Sequence, residues 1–325
     1  VHARSDVLKQ FHPVVQGWFA EALGEPTPAQ QLAWPVIADG SSTLLLAPTG
    51  SGKTLAAFLV AINRIMFAAQ QPTGVRTLYI SPLKALGVDV ERNLKAPIAG
   101  VRAVAEREGV EHRVPVVGVR SGDTPPSERY RLNREPPDIL ITTPESLYLM
   151  LTSRARDVLR SVETVIVDEI HSMVAGKRGA HLFVSLERLE RLRREGGAPE
   201  SQINPLQRIG LSATQRPLEE VARLLGGAEA TSNPDAPPVP RKVEVVEAGR
   251  RKQLELSIEV PVEDMSRLAE LTPQAESTQA SSSELTLPSI WPAIHPRLVE
   301  LIRSHRSTMI FVNSRRLAER LAAAI

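Results

Sequence analysis

The sequence predicts an α/β fold with a mainly parallel sheet, and three observations carry that expectation. An apolar run, Leu44-Leu45-Leu46, passes through Ala47-Pro48-Thr49-Gly50-Ser51-Gly52 into a helical pattern opening at Lys53-Thr54, the strand, glycine turn and helix of a phosphate loop. Short apolar runs at 77–80, 114–119, 138–141, 164–167 and 208–211 then alternate with helical spacing at 84–94, 145–151, 180–194 and 218–225. That order buries a parallel sheet under helices on both faces. The unusual short motifs fall where the runs end, the edge at which open α/β sheets collect ligands.

Composition sets wide bounds. A chain of 325 residues suits about two domains, and 42% hydrophobic residues can fill a sizeable interior. A formal charge of +2 with a pI of about 9.0 argues only weakly for a polyanionic partner, so nucleic-acid binding has to be argued locally. No stretch has the apolar length of a membrane span, and the N-terminus lacks a signal-peptide layout. Cysteine is absent, which excludes disulfides and thiolate chemistry and fits a cytoplasmic protein. No zinc site is legible in seven scattered histidines without cysteines to join them.

In chain order, 11–19 reads as a helix whose Phe11, Trp18 and Phe19 pack inward. Pro26 and Pro28 then fix the path to a helix reaching Trp34, with Gln30 on its first turn. An amide offers the donor and acceptor that match N6 and N7 of adenine. Alone, Gln30 reads as a surface cap; shortly before a phosphate loop, it reads as an adenine reader. In the loop, Gly50 and Gly52 open dihedrals closed to other residues, so successive N–H groups can converge on phosphate oxygens at a helix N-terminus. Lys53 would reach the β- and γ-phosphates and Thr54 would ligate Mg²⁺. Ala47 stands where the usual spacing has its first glycine.

Ser81-Pro82-Leu83-Lys84, Arg120-Ser121-Gly122-Asp123-Thr124 and Ile141-Thr142-Thr143-Pro144-Glu145 are strand exits carrying hydroxyls, amides and a lysine. Each alone is equally a structural turn; three on one sheet edge could track a single strand by its sugar-phosphate backbone. Val165-Ile166-Val167-Asp168-Glu169-Ile170-His171 delivers two adjacent carboxylates to the end of a buried strand, an arrangement that asks for a cation. Asp168 fits a Mg²⁺ holder and Glu169 the base that orients the attacking water. Ser212-Ala213-Thr214 ends another strand, where its hydroxyls could bond His171 or the acidic pair. Along 180–195, alternating charges over a leucine stripe read as a solvated amphipathic helix without a function.

Composition changes after Gly226-Gly227. The expected division is a first domain over 1–231, a linker over 232–240 and a second domain beginning at 241–325. In the last part, 242–246, 254–260 and 308–312 read as strands, 272–284 as a mobile polar loop, 296–303 as a helix, and Asn313-Ser314-Arg315 as the opening of another.

The ordered set Pro26 to Gln30, Ala47 to Thr54, Ser81 to Leu86, Thr142 to Glu145, Asp168-Glu169-Ile170-His171, Ser212 to Thr214 and Phe311-Val312-Asn313-Ser314 resembles superfamily 2 helicases of the DEAD/DEAH type. Within them the DEIH box, the phosphate loop and Ser81-Pro82-Leu83-Lys84-Ala85-Leu86 look most like the large helicase-related (Lhr) group. The resemblance implies a RecA-like P-loop domain followed by the start of a second RecA-like domain, closing on ATP and Mg²⁺. Residues Thr27, Gln30, Thr49, Gly50, Ser51, Gly52, Lys53 and Thr54 would serve the nucleotide. Asp168 and Thr54 would hold the metal, and Lys53, Asp168, Glu169 and His171 would carry catalysis. Ser212, Ala213 and Thr214 would link hydrolysis to grip. Pro82, Leu83, Lys84, Gly122, Asp123, Thr143 and Pro144, with Asn313, Ser314 and Arg315 of the second domain, would touch the strand.

The implied activity is ATP-driven translocation, 3′ to 5′ on single-stranded DNA, opening DNA or RNA–DNA duplexes, with DNA favoured over RNA and repair as the setting. The alternative is a clamp or remodeller that uses the same core without separating strands. A small-molecule kinase has no need of the DEIH box or of Ser-Ala-Thr, and a non-enzymatic binding module has no need of Lys53, Thr54, Asp168 and Glu169. The later second-domain motifs, with arginines worth roughly 10³ to 10⁵ in rate in other NTPases, are expected beyond Ile325. The segment alone is therefore expected to bind ATP and turn it over poorly.

Overall fold

The computed structural model describes residues 6–69, 73–195, 204–213, 216–229, 236–249, 255–260 and 290–325. Thr214, residues 232–235 of the expected linker and the polar stretch 272–284 lie outside them. Two compact units divide the chain, Val1–Arg250 and Arg251–Ile325.

In the first unit, β1 (Thr43–Leu46), β2 (Thr77–Ile80), β3 (Val117–Arg120), β4 (Ile139–Thr142), β5 (Thr164–Val167), β6 (Gln207–Ser212) and β9 (Glu244–Glu247) form one sheet in the order β3-β4-β2-β5-β6-β1-β9. Each neighbouring pair is parallel. A two-stranded antiparallel pair, β7 (Ala228–Glu229) and β8 (Val239–Pro240), leads into β9. The central strands are short and buried on both faces, as parallel strands under two helical layers must be. Successive side chains alternate between layers. Leu45, Tyr79, Ile141, Ile166 and Ile209 pack with α1 (Pro13–Ala22), α2 (Pro28–Ala38), α3 (Lys53–Phe67) and α4 (Lys84–Glu108). Leu44, Leu78, Leu140 and Val165 pack on the opposite side with α6 (Pro144–Leu151), α7 (His171–Val174), α8 (Lys177–Arg194) and α9 (Leu218–Gly226). The remaining helix, α5 (Pro126–Arg134), follows β3.

Phe11, Trp18 and Phe19 are core residues as expected; Phe11 and Phe19 set their rings edge-on to Trp34. Four expectations need correction. The helix expected over 84–94 runs on through Pro97 to Glu108. Ile98, Val101, Val104 and Ala105 continue its buried stripe and outweigh the one hydrogen bond that the proline removes. The division expected at 232–240 falls inside the first unit, because β9 docks on β1 with Leu44 opposite Val245. An apolar run does not say which sheet it will join, and β1 would otherwise be an open edge.

The charged face of α8 is not simply solvated. Glu190 is 4% exposed, and Arg208 of β6, 1% exposed, lies between it and Glu187. Arg241 reaches Glu187 at 2.8 Å, tying the segment before β9 to α8. In the second unit, α10 (Trp291–Ser304) and α11 (Arg315–Ala324) form. The runs expected as strands at 254–260 and 308–312 carry no strand among their described residues. A strand exists only through a neighbour's ladder, and Phe311, at 86% exposed, has found none.

Candidate nucleotide site

The loop after β1 is braced from behind. Ala47 N–H donates to the Ser212 carbonyl at 3.1 Å, tying the loop's start to the end of β6. Thr27 caps α2 and its hydroxyl donates to the Ser51 carbonyl at 2.7 Å. Gln30, 3% exposed, closes a capping box, its Oε1 accepting from Thr27 N–H at 2.9 Å. The oxygen end that would read adenine is thus engaged with backbone, and the Nε2 end faces Gly52. Gly50 and Gly52 take φ of 77° and 81°. A methyl group at Gly52 would also lie 2.7 Å from Gln30 Nε2.

Lys53 opens α3, 9% exposed, with Nζ donating to the Ala47 carbonyl at 2.7 Å. Burial lowers its pKa, and the charges of Glu169 and Asp168 oppose that shift. The Ser51 hydroxyl is buried without a hydrogen-bond partner. An unpaired polar atom at such a place asks for a ligand.

Opposite the loop, β5 ends at Asp168, whose N–H continues the ladder to the Ile80 carbonyl. Glu169 has φ of +44°, a left-handed conformation that a side chain rarely adopts and that re-aims its carboxylate. Glu169 N–H donates to Asp168 Oδ1 at 2.9 Å, and the Tyr79 hydroxyl donates to Asp168 Oδ2. Burial and then the Asp168 charge push the Tyr79 pKa up, so it stays a donor. His171 Nδ1 lies 3.1 Å from Ser212 Oγ and 3.3 Å from Glu169 Oε2. The expected link between Ser212 and His171 is therefore made.

Loop and acidic pair face one cavity of about 610 Å³, lined by Thr49, Gly50, Gly52, Lys53, Thr54, Asp168 and Glu169, and continued by Trp18, Leu23, Asn93, Leu94 and Pro97. That volume suits a nucleotide. The α1 and α4 wall was not foreseen from sequence. Gly100 permits its close approach, since a methyl there would lie 2.0 Å from Trp18 Nε1. The donor set fits Mg²⁺. Among the described residues no three histidine or acidic side chains form a cation cage, so a cation would rest on the Thr54 hydroxyl, one carboxylate and nucleotide phosphates, as Mg²⁺ does.

The three candidate strand-tracking exits stand side by side, because β3, β4 and β2 are neighbours. Lys84 Nζ bonds both carboxylate oxygens of Asp123 at 2.7 Å, joining two of them. The backbone carbonyl of Gly122 accepts from Arg129 at 2.7 Å. Thr143 is turned inward as the cap of α6, its Oγ1 accepting from Ser146 N–H, and Pro144 is buried at that helix's first turn. Leu83 is 60% exposed. In the second unit Ser314 caps α11 through Leu317 N–H, between Asn313 and Arg315.

Comparison with known proteins follows the same lines. The DEAD/DEAH box helicase family profile matches residues 27–222. The Lhr helicase/probable uracil glycosylase of Mycolicibacterium smegmatis is 49% identical over 99% of this chain, which covers 19% of that protein. The ATP-dependent helicase Lhr-Core protein 2 of Thermococcus barophilus is 39% identical over 95% of this chain and 32% of its own length. The structure of Mycobacterium smegmatis helicase Lhr bound to ssDNA and AMP-PNP superposes with a TM-score of 0.72 at 50% identity, covering 98% of this chain and 36% of that one. The fold is shared more distantly with the DEAD-box helicase Mss116, at a TM-score of 0.57 and 16% identity. The chain thus spans about a fifth to a third of the length of these curated relatives, and it belongs to the DEAD/DEAH box helicase family.

Proposed function

We propose that this chain supplies the ATP site and part of the single-strand track of an ATP-driven helicase that moves 3′ to 5′ on single-stranded DNA. The observation that carries the reading is the single cavity on which Lys53, Thr54, Asp168 and Glu169 converge. The likeness to a helicase structure holding ssDNA and AMP-PNP supports ATP as ligand and DNA over RNA as track.

In this reading the loop N–H groups and Lys53 bind the β- and γ-phosphates. Thr54 and Asp168 hold Mg²⁺, which when bound draws charge from the phosphate oxygens. Glu169, aimed by its left-handed backbone, orients the attacking water and accepts its proton. Gln30 acts first as a brace of the loop, with its Nε2 end left towards the base. His171 and Ser212 tie Glu169 to β6, so a change at the phosphate is felt along the sheet edge. Lys84, Gly122 and Asp123 lie along the adjoining edge, where backbone phosphates would run, with Thr143 and Pro144 buried beside them at the start of α6.

The test is ATP hydrolysis by the full-length protein with and without single-stranded DNA and RNA, beside strand displacement and a Glu169→Gln control. Stimulated hydrolysis with displaced strands supports the motor. Stimulated hydrolysis without displaced strands favours the clamp, and no response from a protein that binds ATP overturns both.

A further inference from the structure

We infer that Tyr79 is a positioning residue for the cation: its hydroxyl sets the orientation of the Asp168 carboxylate and thereby the affinity for the divalent ion that accompanies the nucleotide. The inference rests on the reading of Asp168 as the Mg²⁺ holder.

Parallel register sets Tyr79 of β2 opposite Ile166 of β5. Asp168 is two residues further along β5, so it shares a sheet face with Ile166 and with Tyr79. A tyrosine is long enough to cover that offset, and its hydroxyl arrives at Asp168 Oδ2. The ring has no freedom to leave. Tyr79 is fully buried and its ring lies 5.1 Å from that of Phe58, at 31°. Phe58 belongs to α3, the helix that opens with Lys53 and Thr54. One packed unit therefore fixes Lys53, Thr54 and the donor to Asp168 relative to one another.

The other carboxylate oxygen, Oδ1, is held by Glu169 N–H. With a donor on each oxygen the carboxylate plane is set, and its remaining lone pairs serve the cavity it lines. A buried tyrosine hydroxyl needs some acceptor, but a carbonyl of the strand would meet that need without touching the site. Here the acceptor is a strand-end carboxylate that lines the cavity beside the phosphate loop. Partners that orient a ligating group characteristically change metal affinity about 10–100-fold when removed. Mg²⁺ often keeps water between itself and a carboxylate, which points to the lower end, about 10-fold.

The experiment uses the full-length protein with a fluorescent non-hydrolysable ATP analogue, titrated from excess chelator to saturating Mg²⁺, for wild type, Tyr79→Phe and Asp168→Asn. Bound Mn²⁺ in the presence of the analogue is counted separately by electron paramagnetic resonance. Tyr79→Phe is expected to raise the half-saturating Mg²⁺ and Mn²⁺ concentrations about 10-fold, with analogue affinity in chelator unchanged. Phe58→Leu, which loosens the ring and keeps the hydroxyl, should shift the cation midpoint in the same direction by less. An unchanged midpoint in Tyr79→Phe beside a shifted one in Asp168→Asn overturns the Tyr79 inference alone. Equal loss of analogue affinity with and without cation also overturns it, as packing only. An unchanged midpoint in Asp168→Asn overturns the Asp168 reading, and this inference with it.

Discussion

At the ends of β1, β5 and β6 the polar groups are held mostly by one another and by the backbone: Lys53 on Ala47, Thr27 on Ser51, Asp168 between Tyr79 and Glu169, His171 on Ser212. At the ends of β2 and β3, along the same sheet edge, the bond that joins two exits is Lys84 to Asp123, with side chains 54% and 75% exposed. The first region is held by the protein's own contacts, the condition under which charge on a phosphate is stabilised without reorganisation. The second is a surface pair of the kind worth about 0.2–1 kcal/mol, weak enough to exchange one oxyanion for another. In the proposed reading, the site that does chemistry is built rigid, and the edge that takes and releases a strand is built from replaceable contacts.

The comparison breaks most visibly if the rigid half tolerates substitution. Glu169→Gln keeps the side chain's shape and removes its capacity to accept a proton, so turnover should fall by roughly 10²–10⁴ while ATP binding is retained. Phosphate release beside analogue titration reads both. A loss of less than about tenfold would take the base role from Glu169.

Gly52→Ala tests the brace behind the loop. A side chain at φ of 81° costs about 1–2 kcal/mol, and its methyl meets Gln30 Nε2 at 2.7 Å. Urea denaturation should show that loss and more, and adding Gln30→Ala should recover the contact's share but not the backbone's. Ser212→Ala removes one hydrogen bond to His171, worth about 0.5–1.5 kcal/mol. Its effect should appear as a loss of up to about tenfold in stimulation by single-stranded DNA, larger than any change in the unstimulated rate. Equal falls in both rates would make Ser212 a structural residue of β6.

The phosphate loop and the acidic pair were legible because each packs its chemistry into a few consecutive residues, where spacing alone carries the meaning. Tyr79 was not, although it stands in a run correctly read as a strand. Its role depends on β2 lying beside β5, a pairing across more than 80 positions of sequence that periodicity does not encode. Glu190 was misread for a related reason: a charged residue on a helix looks solvated until Arg208 is known to lie beneath it. The strand at Glu244–Glu247 was found but given to the wrong sheet, since edge pairing with β1 is decided by which edge is open. Trp18 was correctly placed in the core, yet it also lines the cavity. One side of an indole can pack while the other faces a ligand, and sequence spacing does not separate the two.

The smallest expected effect is at the replaceable half, and there its sign is informative. Asp123 is an anion on an edge proposed to meet phosphates, and it holds the Lys84 ammonium at 2.7 Å. If that pair stands in for the strand, Asp123→Asn frees Lys84 and should tighten binding of single-stranded DNA at low salt, leaving the thermal midpoint nearly unmoved because an exposed pair contributes little. Lys84→Ala should do the opposite and reduce the slope of log affinity against log salt by about 0.7, one phosphate contact on a single strand. Fluorescence anisotropy across a salt series measures both in the full-length protein. Weaker binding in Asp123→Asn would mean that the pair shapes the β2 and β3 exits rather than competing for the strand, and the contrast between a rigid chemical end and an exchangeable edge would fail at Lys84.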